Sequence, residues 1–164
     1  MIIYLGADHA GFILKEHIKK FLLTKKIQVH DLGAHTLKKD DDYPDYAFLV
    51  ARSVAASKES ARGILICGSA EGICIAANKI KGIRAVPVWT EYAAKQTREH
   101  TDANILCLGG GQTIKKIPTL SFSKIKKIIN IFLITPFSTE PRHKRRILKI
   151  QKEEEKEKKR KNKK

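Results

Sequence analysis

The sequence predicts an α/β protein: a Rossmann-like, doubly wound parallel sheet of five strands, with helices on both faces and a C-terminal helical arm. Short apolar runs alternate with stretches of helical periodicity, and this alternation is typical of a parallel sheet whose crossovers are helices. The length of 164 residues and the hydrophobic content of 42% fit one domain with a substantial core.

The predicted elements follow one another at regular intervals. Strands are predicted at residues 2–5, 28–31, 63–67, 84–88 and 104–108. Helices are predicted at residues 12–23, 46–56, 72–79 and 91–99, then from near Pro118 to Leu133, and again beyond Pro141. Doubly wound sheets bind ligands at the carboxyl ends of their strands, so the residues just after each strand are the first candidates for function.

Positive charge is concentrated at the C-terminus. The formal net charge is +16, and residues 142–164 hold thirteen Lys/Arg against four Glu. We therefore predict one domain over residues 1–150 and a charged, basic tail over 151–164, either a solvated helix end or disordered. The tail has no aromatic residue for base stacking, so we expect no specific nucleic-acid partner.

Composition also bears on compartment and cofactors. No run of eighteen apolar residues occurs, and the N-terminus resembles a first strand more than a signal peptide, so we expect no membrane association. Cys67, Cys74 and Cys107 are too few and too irregular for a disulfide framework or a zinc site. Reduced thiols predict a cytoplasmic location. No Walker or dinucleotide motif is present, which argues against a nucleotide cofactor, and we expect no metal cofactor either.

The most suggestive motif is the turn after the third strand, Cys67-Gly68-Ser69-Ala70-Glu71-Gly72, which opens into a helix. Small residues let backbone N–H groups converge, and a helix N-terminus stabilises a phosphate or an oxyanion. The same field lowers the pKa of a thiol, so we expect Cys67 to be a reactive thiolate. The alternative is an ordinary glycine-rich turn with an inert cysteine.

A second candidate cluster follows the first strand, where Asp8 and His9 precede Gly11. A carboxylate beside an imidazole can bind hydroxyls and an anionic group, and glycine allows close approach of the backbone. The alternative is that Asp8 caps the helix beginning at Phe12, and the two roles are compatible.

Two further candidates lie later in the chain. His100 can act as a general acid or base near neutral pH, although a surface histidine at a helix end is the simpler interpretation. Arg142 and Arg146 are four residues apart and share one helix face, so they can clamp a phosphate; alternatively they are solvated surface charges.

Taken together, these segments resemble the ribose-5-phosphate isomerase B family, which also includes galactose-6-phosphate isomerase subunits. The matching stretches cover residues 1–150 in the family's order. They read GADHAGF (6–12), DYPDYA (42–47), GILICGS (63–69), IAANKIKGIRA (75–85), DANILCLG (102–109), TPF (135–137) and RHKRR (142–146).

The resemblance implies a cofactor-free isomerase that interconverts ribose 5-phosphate and ribulose 5-phosphate through a cis-enediolate. It implies that Cys67 moves the proton between C1 and C2, that Ser69 helps to move the hydroxyl protons, and that Asp8 and His100 assist ring opening. The oxyanion would be held by backbone N–H groups of Gly68, Ser69, Ala70, Glu71 and Gly72. Some members carry a catalytic Glu at the position of Ile73, so this chain resembles the cysteine type.

The resemblance also assigns the rest of the pocket. His9, Arg142 and Arg146 would hold the phosphate, and Tyr43 would line the site. It implies a homodimer, or a dimer of dimers, whose active sites lie at the subunit interface with His100 supplied by the partner subunit.

Three positions depart from the family pattern. Ala70 replaces the usual second glycine of the turn, which costs roughly 1 kcal/mol if that position needs a positive φ. Thr101 stands where Asn is common, and the stretch after residue 108 lacks the usual arginine, with Gln112 as its replacement. Galactose-6-phosphate or allose-6-phosphate isomerase, and a non-catalytic sugar-phosphate-binding protein, are the alternative functions.

Overall fold

The computed structural model describes residues 1–57, 61–111 and 120–161. Within these residues the chain forms five strands and six helices. The strands are β1 (Ile2–Ala7), β2 (Gln28–Asp31), β3 (Ala61–Cys67), β4 (Ala85–Pro87) and β5 (Ile105–Gly109). The helices are α1 (Phe12–Thr24), α2 (Tyr43–Ala56), α3 (Glu71–Ala77), α4 (Glu91–Thr101), α5 (Phe122–Ile134) and α6 (Pro141–Lys161).

The strands form one parallel sheet in the order β2-β1-β3-β5-β4. The predicted fold class is confirmed, with β5 inserted between β3 and β4. The central strands β1, β3 and β5 pair in a register that aligns Ala7 with Ile66 and Cys67 with Gly109. The carboxyl ends of these three strands therefore lie side by side.

Helices cover both faces of the sheet. On one face, α1, α4 and α5 pack over Ile3, Ile64 and Leu106 in a core that includes Phe132. On the other face, α2 and α3 pack over the alternate side chains of the same strands, with Leu65, Cys67 and Cys107 in that core. Side chains alternate along each strand because of the pleat, so a strand buried on both faces is apolar throughout.

Several boundaries differ from the predicted ones. Helix α2 begins three residues before the predicted 46, because Asp42 is its N-cap and Pro44 occupies the first turn, where proline is pre-organised for a helix. Helix α5 begins at Phe122, with the Ser121 hydroxyl accepting a bond from the Lys124 N–H at 3.3 Å. The predicted start near Pro118 lies outside the described residues.

Helix α6 forms the predicted C-terminal arm. It buries His143 and Ile147 against the body of the protein and continues to Lys161. The Gly82 N–H donates to both carboxylate oxygens of Glu154 at 3.2 Å, so part of the charged tail contacts the domain. The domain boundary at residue 150 stays a prediction. No helix in the described part of the chain is long and apolar enough to cross a membrane.

Candidate active site

The first group of predicted site residues meets at the carboxyl edge of the sheet. The Asp8 N–H donates to the Ile66 carbonyl at 3.3 Å, which ties the end of β1 to the end of β3. The Gly110 N–H donates to the Cys67 carbonyl at 2.7 Å and ties β5 to the same point. The structure thus brings Asp8, His9 and the Cys67 turn together, as parallel-strand topology requires.

Cys67 ends β3 and is only 4% exposed. Its sulfur receives hydrogen bonds from the backbone N–H groups of Ser69, Ala70 and Ile73, which lower the thiol's pKa. Burial acts more strongly in the opposite direction, so the pKa of Cys67 is raised overall, and the charge of Asp8 adds to this effect. The expectation of a thiol with a lowered pKa is therefore wrong for the free protein, because desolvation outweighs the amide dipoles.

The turn itself has the unusual backbone that the sequence suggested. Ala70 adopts a left-handed conformation, with φ 73° and ψ −25°, at the N-cap of α3. This is the position at which the family pattern has glycine, and its positive φ confirms why glycine is favoured there. The backbone N–H groups of Ser69, Ala70 and Ile73 converge on one sulfur, and such an arrangement can stabilise a negative charge there.

Tyr43 lies against the start of α3. A Cβ at Gly72 would stand 2.8 Å from the Tyr43 ring, so only glycine allows this close contact. Tyr43 is 38% exposed and presents the remainder of its ring to solvent. Tyr43 therefore lies beside the Gly68–Gly72 turn, and its role in lining the site stays a prediction.

Asp8 is buried beside this turn, and its carboxylate accepts a bond from the Gly11 N–H at 3.0 Å. Since Gly11 is the N-cap residue of α1, Asp8 stabilises the turn ahead of the helix without being the N-cap itself. Gly11 lies so close to β3 that a Cβ there would be 2.5 Å from the Ile66 carbonyl oxygen. Burial raises the pKa of Asp8, against the lowering effect of the Gly11 N–H.

His9 belongs to a hydrogen-bond network that sequence reasoning missed. Its Nδ1 lies 2.7 Å from Oδ1 of Asp41, and its backbone N–H donates to the same oxygen at 2.8 Å. The Tyr46 hydroxyl donates to Oδ2 of Asp41 at 2.9 Å. The Asp41 hydrogen bond raises the pKa of His9. The sequence offers one signal, the aspartate run 40–42, but it does not say which of the three reaches His9.

The second group of predicted residues lies at the opposite edge of the sheet. Helix α4 begins after the carboxyl end of β4 and leads to the amino end of β5. His100 is near the C-terminus of α4 and therefore lies at the opposite edge of the sheet from Cys67. His100 stacks on His143 of α6, with ring centroids 4.2 Å apart. Within one chain the structure therefore does not bring His100 to the Cys67 turn.

A cleft of about 420 Å³ surrounds this histidine pair. It is lined by Glu99, His100, residues 136–140, Arg142 and His143. Arg142 and Arg146 are exposed on α6, so both are available to an anion approaching from outside.

The side chain of His143 is buried, and its Nδ1 has no hydrogen-bond partner among the described residues. Desolvation and the charges of nearby groups lower the pKa of His143. Gln112, the expected replacement for the missing arginine, lies outside the described residues.

The fold and the site define a parallel α/β protein with a buried thiol under an amide-rich turn. A sequence profile described as ribose/galactose isomerase matches residues 3–150. The chain belongs to the ribose/galactose isomerase family.

Individual relatives cover nearly the whole chain. A probable ribose-5-phosphate isomerase B of Mycoplasma genitalium is 43% identical over 148 residues, which span 90% of this chain and 92% of that protein. A crystal structure of the M. genitalium enzyme with bound ribulose-5-phosphate is 42% identical, with a TM-score of 0.86 over 94% of this chain and 96% of that one. The structure of Clostridium thermocellum ribose-5-phosphate isomerase B is 39% identical, with a TM-score of 0.85 over 95% of this chain and 99% of that one.

Proposed function

We propose that this protein interconverts ribose 5-phosphate and ribulose 5-phosphate, with Cys67 as the base that moves the proton. The observation that carries the proposal is the Cys67 sulfur, buried at the carboxyl edge of the sheet under the N–H groups of Ser69, Ala70 and Ile73. Its support from relatives is the M. genitalium enzyme, whose structure holds ribulose-5-phosphate in the same fold.

In the proposed reaction, the Cys67 thiolate takes the proton from C2 of the open-chain aldose. The electron pair moves to the carbonyl oxygen O1 and forms an enediolate, whose charge the turn's N–H groups stabilise. The sulfur returns the proton to C1, and Ser69 passes the O2 hydroxyl proton to O1, which leaves the ketone at C2. Losing one such oxyanion donor typically costs about 2.7–4 kcal/mol of transition-state stabilisation.

The raised pKa of Cys67 has a consequence for this mechanism. Because burial favours the neutral thiol in the free protein, forming the thiolate draws on part of the free energy of substrate binding. The three N–H bonds to the sulfur reduce that requirement. Asp8, whose pKa is raised, is suited to exchange a proton with a sugar hydroxyl during ring opening.

The location of His100 supports a homodimer, or a dimer of dimers, with shared active sites. His100, Arg142 and Arg146 lie at the sheet edge opposite Cys67, so the residues assigned to the site form two groups that are separated within one chain. A second copy can bring the two groups together if the amino edge of one subunit meets the carboxyl edge of the other. His100 of the partner subunit would then assist ring opening, and the two arginines would join His9 around the phosphate.

A mixing experiment tests the shared site. Two variants, Cys67→Ala and His100→Asn, are each expected to be inactive, and they are co-expressed with different tags so that mixed dimers can be purified. A mixed dimer then has one intact site and one doubly substituted site, so it regains about half of the wild-type activity per dimer. If each site is built within one chain, the mixed dimer stays as inactive as its parents.

The activity itself is tested by a coupled or NMR assay on ribose 5-phosphate, with galactose 6-phosphate and allose 6-phosphate alongside. We expect turnover of ribose 5-phosphate that disappears in Cys67→Ala. Preferred turnover of a six-carbon substrate would favour the galactose or allose alternative. Binding of all three without turnover would identify a sugar-phosphate-binding protein. A cytoplasmic location stays a prediction, in keeping with three reduced cysteines.

A further inference from the structure

The carboxylate of Asp41 makes three hydrogen bonds, and two of them go to His9. Oδ1 accepts from the His9 backbone N–H at 2.8 Å and lies 2.7 Å from Nδ1 of the same residue. Oδ2 accepts from the Tyr46 hydroxyl at 2.9 Å. The Asp41 side chain is 9% exposed and that of His9 is 26% exposed, so water screens the contact only partly.

Tyr46 anchors the carboxylate from the other side. Its ring packs so closely against the Gly33 backbone that a Cβ there would lie 2.7 Å away. This contact fixes the hydroxyl that bonds Oδ2, and with it the orientation of Asp41. The pKa of Tyr46 is raised to about 12, first by burial and then by the Asp41 hydrogen bond, so the hydroxyl stays a donor at any working pH.

We propose that Asp41 is a positioning residue: it directs Nδ1 of His9 toward itself, leaves Nε2 for the ligand, and supplies the negative charge that keeps the imidazole cationic beside a phosphate. A metal-ligating histidine is oriented in the same way by a carboxylate on its second nitrogen. The inference rests on the proposed function, because it assigns the phosphate of the sugar to His9.

The charges around His9 support this role. Two carboxylates face the ring, Asp41 by direct contact and Asp8 from the preceding position, and both favour the protonated imidazole. Burial opposes them, but the direct hydrogen bond is the larger effect, so the pKa of His9 is raised. The Asp41 pKa is lowered by its bonds to His9 and Tyr46, against its own burial. Both shifts favour the charged forms of the two side chains.

Asp41→Asn tests the proposal, because it removes the charge and keeps an oxygen that can accept from His9. Asp40→Asn is the matched control, since it removes the same charge from an exposed neighbour in the same loop. The first readout is the NMR titration of the His9 ring protons, assigned with a His9→Asn variant. We expect the His9 midpoint to fall in Asp41→Asn and to stay in place in Asp40→Asn. An unchanged midpoint in Asp41→Asn would overturn the proposal.

The second readout is the pH dependence of KM for ribose 5-phosphate. Below both midpoints His9 is protonated in either protein, so the KM values converge. At pH values between the two midpoints only the wild-type His9 is charged. We expect the KM of Asp41→Asn to be about tenfold higher there, with kcat much less affected, because a tenfold change corresponds to the loss of one charge-assisted hydrogen bond. A KM defect of the same size at every pH would mean that Asp41 only holds the loop, and would overturn the electrostatic role.

Two further measurements keep the test decisive. If Asp41→Asn does not fold, Asp41→Ser, which retains an oxygen acceptor without charge, replaces it. Inorganic phosphate is titrated against the His9 signals, so the site is tested without turnover. If phosphate does not change the NMR signals of wild-type His9, the proposed phosphate site is rejected. The dependence of the His9 midpoint on Asp41 is a separate measurement that does not require phosphate binding. In a His9→Asn background the Asp41→Asn effect on KM should vanish.

Discussion

At the scale of single residues, the free energy of one charge depends on what surrounds it. Cys67 and His9 lie near the same sheet edge, and the pKa of each is raised, yet a raised pKa favours the neutral form of a thiol and the charged form of an imidazole. Burial dominates at Cys67 and favours the neutral thiol, whereas the direct bond to Asp41 dominates at His9 and favours the cation. These shifts suit the proposed roles, in which His9 binds the phosphate as a cation and Cys67 is a neutral thiol before the substrate binds.

Replacing Cys67 should separate binding from chemistry. We expect Cys67→Ala to lose about 10²–10⁴-fold in the rate of proton exchange at C2, because the general base is removed. NMR in D₂O measures the exchange. Binding should persist, and the fluorescence of Trp89, the only tryptophan, reports it, since the ring lies against Gly109 at the same edge. Cys74→Ala, a buried thiol on α3, is the control that keeps exchange. Wild-type exchange in Cys67→Ala would exclude this residue as the base.

Ala70 should show how a strained turn is balanced. Glycine there relieves about 1–2 kcal/mol of left-handed strain. The change also has two destabilising effects. It removes a fully buried methyl, which costs about 0.8 kcal/mol, and it raises the conformational entropy of the unfolded chain, which costs about 0.4–1 kcal/mol. We therefore expect Ala70→Gly to change the free energy of unfolding by less than about 1 kcal/mol in urea titrations.

The control for this prediction is Ala76→Gly, the same substitution at a buried position inside α3. It relieves no strain, so it should destabilise the protein by about 1–2 kcal/mol. Equal destabilisation by the two substitutions would show that Ala70 stores no strain.

At the scale of one element, the end of α1 shows how the backbone stops a helix. The Ile27 N–H donates to the Leu22 carbonyl at 3.2 Å, and the Lys26 N–H donates to that of Leu23 at 2.9 Å. These two bonds are a Schellman motif, with Lys26 left-handed at φ 57°. Glycine is the usual residue at this position, so α1 ends with a residue that its geometry disfavours.

Lys26→Gly should therefore stabilise the protein. The relief of left-handed strain exceeds the added freedom of the unfolded chain, so we expect a gain of about 0.5–1 kcal/mol in the free energy of unfolding, which corresponds to about 1–4 °C in Tm. Calorimetry or thermal circular dichroism measures it. Lys25→Gly, one residue earlier at φ −89°, is the control and should be destabilising. A loss of stability in Lys26→Gly would contradict the strain argument.

At the scale of the whole molecule, α6 joins the domain to the charged tail. The first half of this helix buries His143 and Ile147, and the second half contributes the Glu154 contact with Gly82. Removal of residues 153–164 should leave kcat and KM near their wild-type values, because the deleted residues lie beyond Arg142 and Arg146. The loss of the Glu154 bond should lower stability by about 1 kcal/mol.

Glu154→Gln is the control for this truncation, because it changes the contact and leaves the rest of the tail in place. Steady-state kinetics and urea unfolding measure the two effects. A large loss of activity in the truncated protein would mean that the tail takes part in the site or in subunit assembly.

Much of the site could be located from the sequence because parallel strands place their carboxyl ends together. Asp8 and Cys67 each follow an apolar run, and topology makes them neighbours. Asp41 could not be chosen from the run of three aspartates, since its contact with His9 depends on the path of the loop before α2. The direction of the Cys67 pKa shift could not be predicted either, because it depends on how deeply the folded core buries the thiol.

The sequence by itself determined the α/β class, the five strands and the turn that holds the thiol, because these depend on local periodicity and on residue types such as glycine. The tertiary structure alone decided the insertion of β5 between β3 and β4, the pairing of His9 with Asp41, and the separation of His100 from Cys67. These features depend on contacts between residues far apart in the chain, and such contacts leave no periodic signal in the sequence.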